Sequence, residues 1–301
     1  MVECVPNFSE GRDFSKIAAL TEAIASVAGA VVLHRTSDAD HNRSVITFAG
    51  SAGAVEEAAL RAADAALRLI DLRQHRGVHP RLGALDVLPF VPLSDSTLEE
   101  CVELAHRVGE RIWLELQIPV YFYEAAAKRP DRRQLEEVRR GEFESLVQTC
   151  ETDVSKQPDV GGPGLHPTAG AAIVGARKFL IAFNINLRTD DLEVAKDIAR
   201  RIRSSGGGLP GVKALGLPLA SRGMVQVSMN LTDYEQTGLD VVFELVRKLA
   251  AERGVTIEES ELIGLAPRKA WEQAAAGFLR VRDFDSDRIV ENRIERLASG
   301  D

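Results

Sequence analysis

Cysteine is scarce in this 301-residue chain. Cys4, Cys101 and Cys150 lie far apart, so they offer neither paired metal-ligand spacing nor a disulfide framework. Long apolar runs are missing too: none approaches the length that spans a bilayer. The start, MVECVPNFSEGRD, lacks the basic region and the apolar stretch of a secretion signal. These absences predict a cytoplasmic protein. Positive charge is not in excess. A formal net charge of −8 argues against a general nucleic-acid binder, and any anionic ligand must meet a local basic patch. The glycine-rich stretches GGPG and SSGGGLPG lack the Lys-Ser/Thr ending of a phosphate loop, so nucleotide binding is not indicated.

What is present is ordinary globular usage, with 27% charged and 45% hydrophobic residues. The length predicts two domains and a sizeable core. The stretch His75 to Pro92, HRGVHPRLGALDVLPFVP, organises the first of them. Polar and basic residues surround His75 and His79, and an apolar segment, Ala84 to Val91, follows as a buried strand. His79 precedes Pro80, which restricts it to extended backbone, so it belongs to a loop at a strand entrance. Arg73, Arg76 and Arg81 make that loop positive. Histidine suits acid–base chemistry near neutrality, but a turn with a solvated histidine fits the spacing equally well.

Taken in order, the chain reads as strand Val2–Val5, a helix over Phe14–Val27 capped by Asp13, strands Ala30–Leu33 and Ser44–Phe48, helix Gly53–Ile70, and the strand after His79. This βαββαβ order is the ferredoxin-like plan. A helix from Ser96 or Thr97 to Leu116 and a strand Pro119–Tyr123 follow. The segment to Thr149 carries Arg129, Arg132, Arg133, Arg139 and Arg140 and reads as a solvated face. Residues 151–170 form a loop. The second half repeats the plan: strand Lys178–Leu187, helix Asp190–Ser204, strands Val212–Leu219 and Gly223–Leu231, helix Glu235–Arg253, strand Val255–Ile263. The tail reads as one or two helices. SSGGGLPG reads as a linker in preference to a lid. The expected fold is therefore α+β: two ferredoxin-like subdomains, 1–175 and 176–301, side by side with a ligand cleft between them.

Three groups of residues offer chemistry. In AFNINL, Asn184 and Asn186 share one strand face, and in VQVSMNL, Gln226, Ser228 and Asn230 do the same. Alternation alone predicts a solvated sheet surface. Asparagine disfavours strands, however, and amides both donate and accept, which suits a polar heterocycle or an amino-acid backbone. Asp38, Asp40, His41, Asn42 and Arg43 sit between two strands, where a structural turn is the plainer account and no second ligand cluster supports a metal. His75 and His79 have the spacing of a helical zinc pair, but Gly77 and Pro80 oppose a helix there. No metal is expected. Cys4 reads as a small apolar residue and not as a nucleophile.

VECVPNFSEGRD, DHNRSV at 40–45, HRGVHPRLGALDVLPFVP and GARKFLIAFNINL at 175–187 together resemble the glutamate formimidoyltransferase family, which includes the amino-terminal part of formimidoyltransferase–cyclodeaminase. The resemblance covers nearly the whole chain. It implies two α/β subdomains, a homodimer, and tetrahydrofolate bound as co-substrate between the subdomains. It places the general-base histidine of the HPR-x-GALD motif on His79, and the folate-contacting loop on residues 161–170, with Gly161, Gly162, Pro163, Gly164 and Gly170. Ala169 and His166 depart from the mammalian form of that loop, which carries an aromatic at the place of Ala169. Thr36 stands where the mammalian form has an aspartate, leaving Asp38 and Asp40 both open as its replacement. The implied activity is transfer of the formimidoyl group from N-formimidoyl-L-glutamate to N5 of tetrahydrofolate. Asp40, Asn42, Arg43, Arg81, Asn184, Asn186, Gln226 and Asn230 would hold the substrates, and Arg73, Arg76 and Arg81 would hold the histidine neutral. Formyl transfer between 5-formyltetrahydrofolate and glutamate, and folate binding without turnover, are the alternatives. Nothing resembling a cyclodeaminase follows, so a monofunctional transferase with a separate cyclodeaminase as partner is expected.

Overall fold

The computed structural model describes residues 1–39, 41–77, 79–93, 95–219, 222–274, 278–282 and 284–299. The chain divides into two compact units, Met1–Arg177 and Lys178–Asp301. Both combine helices with a sheet, and the architecture is α+β.

The first unit runs β1 (Val2–Cys4), β2 (Asn7–Phe8), α1 (Phe14–Ala25), β3 (Ala30–Asp38), β4 (Arg43–Gly50), α2 (Ala52–Leu69), β5 (Leu85–Pro92), α3 (Leu98–Leu116), β6 (Val120–Glu124), α4 (Leu135–Val138), α5 (Glu142–Thr149) and β7 (Ala172–Ala176). β1 and β2 are one line of chain interrupted at Pro6, which has no N–H for the ladder. They lie between β4 and β5, antiparallel to both, and β3 lies outside β4. β7 and then β6 extend the sheet beyond β5 in parallel.

Local signals fix the helix starts. The Asp13 carboxylate accepts from the N–H groups of Ser15 and Lys16 at 2.9 and 3.2 Å. Thr97 and Glu100 form a reciprocal capping box. One face of the sheet packs on α1, α2 and α3 through Leu20, Ile24, Phe48, Phe90, Leu104 and Phe122. Each large side chain buried this way contributes about 1.5–3 kcal/mol. The alternate residues Tyr121 and Tyr123, with Val87 and Ile173, face Val138 of α4 and Leu146 of α5.

Two expectations are corrected here. The strand expected over Lys178–Leu187 starts at Ile181 (β8, Ile181–Leu187), and a separate strand that was not expected, β7, precedes it. The partners of β7 are β5 and β6, far away in sequence, so nothing local marks it. The arginine-rich segment is only partly a solvated face. Arg129 and Arg140 are surface residues paired with Asp131 and Glu137. Arg132 is only 4% exposed; it pairs with Asp159 at 2.6 Å and lies over the Tyr121 ring.

The second unit continues from β8 with α6 (Leu192–Ile202), β9 (Val212–Leu219), β10 (Met224–Leu231), α7 (Leu239–Ala251), β11 (Ile257–Ile263), α8 (Arg268–Ala274) and α9 (Val290–Ser299). Its sheet order is β11-β8-β10-β9, antiparallel throughout. Phe183, Ile185, Val227 and Met229 form its buried side, and α6 packs on β9 and β10. Residues 204–211 make a fixed connection. The Gly208 and Leu209 N–H groups donate to the Arg203 and Ile202 carbonyls at 3.1 and 2.9 Å, and Ser204 Oγ donates to the Leu209 carbonyl at 2.8 Å.

Candidate active site

Asp86 lies in β5 among apolar residues and is 0% exposed. A carboxylate in such a place must be compensated. Its Oδ1 accepts from the N–H groups of Leu82 and Gly83 at 2.8 and 3.3 Å, which bends the chain entering β5. Its Oδ2 takes two guanidinium groups, Arg43 at 2.7 Å and Arg139 at 2.5 Å. Burial by itself would push the Asp86 carboxyl up. Arg139 and Arg43 outweigh it and hold the group below the usual aspartate range. The rest of the Arg43 fork is also engaged: Nε and Nη2 donate to Asn7 Oδ1 at 3.2 and 2.7 Å. Asn7 is held in turn, its Nδ2 donating to the Val5 carbonyl at 2.8 Å.

His79 stands beside this cluster. Its Nδ1 is 2.7 Å from the Pro80 carbonyl oxygen and 3.4 Å from Arg43 Nη1. The carbonyl can only accept, and the guanidinium can only donate. The shorter contact decides the tautomer. Nδ1 carries the proton and donates to Pro80, which leaves the Nε2 lone pair for chemistry. Burial, then the Arg43 charge, push the imidazole down to about 4, so it is neutral at physiological pH. The His41 ring lies 5.7 Å from the His79 ring. Gly77 joins the two loops: a Cβ there would sit 2.3 Å from the His41 carbonyl oxygen, so a side chain would separate them.

The other expected residues divide into those that build the site and those placed elsewhere. His75 is buried, and its Nε2 donates to the Asn42 carbonyl at 2.8 Å, so it supports the loop. Asn42 has a positive φ of 49° and clasps two segments, accepting from the Gly11 N–H at 2.9 Å and donating to the Arg76 carbonyl at 3.1 Å. Asp38 accepts from the His41 N–H at 2.7 Å; Asp40 lies outside the described residues. Arg81 and Arg73 do not depress His79 as expected. Arg81 makes a two-point pair with Glu144 at 2.6 and 3.0 Å, and Arg73 pairs with Asp71. Arg43 and Arg139 supply the positive field instead.

The loop 161–170 has its two ends in different surroundings. Gly161 backs onto the Trp113 ring and Gly164 onto Glu151, with Gly162 and Pro163 exposed between them. Gly170 lies against the HPR-x-GALD segment, where it bridges Gly83, and the Ala84 N–H donates to the Ala169 carbonyl at 2.9 Å. Ala169 is core, which leaves no room for an aromatic. His166 Nδ1 accepts from the Ala169 N–H at 3.1 Å and closes the turn.

In the second unit, Asn186 is 0% exposed and sits in a polar network. It accepts from Gln226 Nε2 at 2.9 Å and donates to Glu259 and Glu261 at 3.2 and 3.0 Å. Arg222 and Arg282 pair with the same glutamates. Asn184 is half-buried and Asn230 is exposed on the same face.

The sequence reading missed Asn7, Asp86 and Arg139 as site residues. The acid in an otherwise apolar strand was the available signal for Asp86, since it demands a buried cation. Among the described residues no group of three metal-ligating side chains occurs, and no helix is long and apolar enough to cross a membrane.

The model of the formiminotransferase domain's N-terminal subdomain matches residues 1–177, and that of the formiminotransferase domain matches residues 182–298. This chain belongs to the formiminotransferase family. It is 46% identical to a glutamate formimidoyltransferase of Thermoplasma acidophilum, over 99% of both chains. It is 46% identical to that of Streptococcus pyogenes, over 98% of both. The formimidoyltransferase-cyclodeaminase of Sus scrofa is 42% identical over 98% of this formiminotransferase chain, which spans 56% of that relative.

Proposed function

We propose that this protein is a glutamate formimidoyltransferase: it transfers the formimidoyl group of N-formimidoyl-L-glutamate to N5 of tetrahydrofolate, releasing L-glutamate. The carrying observation is a neutral His79 whose Nδ1–H is tied to Pro80, which puts the ring's lone pair on Nε2. N5 attacks the formimidoyl carbon, and a new N–C bond forms. The N5 of that adduct is cationic and acidic, so a weak base suffices to take its proton. His79 then holds the proton on an imidazolium of low pKa, which is a strong acid. It gives the proton to the glutamate nitrogen, and the old C–N bond breaks. One histidine thus serves as base and then acid.

Arg43 and Arg139 face a single carboxylate, Asp86, so the cluster carries one net positive charge near His79. That charge suits substrates rich in carboxylates. In this reading the loop 161–170, with Gly161, Gly162, Pro163, Gly164 and Gly170, contacts the folate, and Asn184, Asn186, Gln226 and Asn230 offer amides to the ligands. Both units follow the ferredoxin-like plan. The second unit's β11-β8-β10-β9 order supports it, as does the order β5-β1/β2-β4-β3 within the first. The working form is a cytoplasmic homodimer, with a separate cyclodeaminase as partner.

The test is incubation of the purified protein with tetrahydrofolate and either formimidoyl-glutamate or formyl donors. Release of free glutamate from formimidoyl-glutamate, dependent on tetrahydrofolate, is expected. Release only from N-formyl-glutamate would replace this reading by formyl transfer, and no release from either would remove the transferase assignment.

A further inference from the structure

The turn between β3 and β4 holds one exposed imidazole more firmly than a surface turn requires. The Asp38 carboxylate accepts from the His41 N–H at 2.7 Å, and Arg12 Nε donates to the Ala39 carbonyl at 2.7 Å. Asn42 is tied to the Gly11 N–H, the Arg76 carbonyl and His75 Nε2. Two segments distant in sequence, one before α1 and one before β5, thus fix the backbone on either side of His41, while its side chain stays exposed. The result is a ring whose centre lies 5.7 Å from that of His79, with the planes 54° apart. Two hydrogen bonds of about 2.9 Å that meet on one atom hold their outer atoms roughly 5 Å apart, so a single ligand nitrogen can touch both imidazoles. We propose that His41 is a second catalytic residue, whose imidazolium gives the departing glutamate amine the proton that traps it as an ammonium. The inference rests on, and deepens, the reading of this protein as a formimidoyltransferase with His79 as its base.

The formimidoyl group is an amidine, which near neutrality is protonated and carries one positive charge. Attack by N5 places that charge on N5. His79 moves one proton from N5 to the glutamate nitrogen, and the C–N bond breaks with its electron pair on that nitrogen. The new amidinium stays on N5, and glutamate is left as a free amine. A free amine beside an amidinium carbon attacks it again. One further proton stops this by making the ammonium, so each forward turnover takes up one proton from the medium. His79 is a poor source of it: its Nδ1–H is committed to Pro80, and an imidazolium with a pKa of about 4 is scarce at neutral pH. The other groups around His79 are Arg43, Arg139, Asp86 and His41. Guanidinium groups do not release a proton near neutrality, and Asp86 is an anion. The exposed imidazole is the remaining donor, and it can be recharged from solvent. Charged and titratable groups face the His41 turn from every side: Asp38 within it, Arg12 before α1, Arg43 of β4, and His75, Arg76 and His79 before β5.

The experiment compares the full-length parent with His41→Gln and His41→Asn, whose amides can hydrogen-bond but cannot deliver a proton. The side chain is exposed, so both variants should keep the parent's urea midpoint. Each should lose about 10²-fold in kcat, the lower end of general acid–base effects, with KM for formimidoyl-glutamate and for tetrahydrofolate nearly unchanged. The reverse reaction, from 5-formimidoyl-tetrahydrofolate and glutamate, should fall by the same factor, because there the neutral imidazole takes the proton from the glutamate ammonium. Added imidazole should restore turnover of the variants in proportion to its imidazolium form and leave the parent unchanged. A side chain that only supports the turn would give a loss that imidazole does not relieve. An active parent together with parent-like kcat in both variants would overturn the inference and leave the transferase reading standing. So would a loss confined to KM, or one untouched by imidazole at every pH. A parent that releases no glutamate from formimidoyl-glutamate would overturn the functional reading, and the role of His41 would fall with it.

Discussion

Arg139 and Asp86 stand 53 residues apart in sequence, yet their side chains meet at 2.5 Å. Arg43 reaches the same carboxylate oxygen from β4. Removing the acid therefore strands two guanidinium groups in a largely desolvated place. Asp86→Ala should lower stability by about 3–5 kcal/mol, the cost of breaking a buried pair from one side. Arg139→Gln should cost less, since Arg43 still balances the charge. The acid also ties stability to pH. Its folded pKa lies below that of an unfolded aspartate, so its contribution is present above about 3.9 and is lost as pH falls through the lower folded value. Urea unfolding at neutral and acid pH measures both effects. A parent-like midpoint in Asp86→Ala would remove the cluster's structural role.

His79 ties stability to pH in the same direction, although here the shift disfavours the charged form of the group. Its folded pKa of about 4 lies below that of a free imidazole near 6.5, so the folded state resists protonation. As pH falls from about 6.5 towards 4, the parent should lose stability relative to His79→Gln, and above that window the two should match in this respect. In activity, kcat/KM should stay level from neutral to mildly acid pH and fall only as the imidazole titrates. His79→Gln should reduce turnover roughly 10²–10⁴-fold while keeping the urea midpoint at pH above neutrality. Full activity in that variant would end the assignment of the base.

The contrast between these two residues shows what could be read in the sequence. His79 sits before a proline at a strand entrance, so its loop position follows from near neighbours. Helix starts at Asp13 and Thr97 and the strand Val212–Leu219 are local in the same sense. Arg43 and Arg139 are not, because their value comes from a partner brought by sheet pairing. The same holds for β7, whose partners are β5 and β6, and for Asn7, whose role exists only because β2 lies next to β4. Arg73, Arg76 and Arg81 lie close to His79 in sequence, yet Arg73 and Arg81 are committed to Asp71 and Glu144, and Arg76 donates to the Arg73 and His75 carbonyls. Proximity along the chain overstated their influence.

Gly170 should prove intolerant. Its φ is +68°, and a Cβ would lie 2.0 Å from the Leu82 carbonyl oxygen. Gly170→Ala must therefore push the 166–170 turn off the segment that carries Leu82 and Gly83. Backbone strain of this kind costs of order 1–3 kcal/mol, and the displaced turn should also weaken folate binding. Thermal unfolding and folate titration of the variant read the two effects. Parent-like values in both would mean that the turn adapts without disturbing the site.

The amide face of the second unit should separate into two kinds of residue. Asn186 is enclosed by Gln226, Glu259 and Glu261, with all three side chains in hydrogen-bonding distance. Asn186→Ala leaves those groups short of a partner in a buried place, which costs about 1–3 kcal/mol. Its main effect should appear in the urea midpoint. Asn184 and Asn230 lie on the same face with more exposure. Truncating either should change stability by only about 0.5 kcal/mol, as at ordinary surface positions. If they donate to a ligand, each lost bond should weaken its affinity by about 1–3 kcal/mol. Calorimetric titration of the three variants with tetrahydrofolate and with formimidoyl-glutamate, beside urea unfolding, distinguishes the roles. Weaker affinity in Asn184→Ala or Asn230→Ala at parent-like stability would mark the face as a ligand surface. Parent-like affinity in both would leave Asn186 and Gln226 as structural amides within an ion-pair network, and the binding role of this face would have to be abandoned.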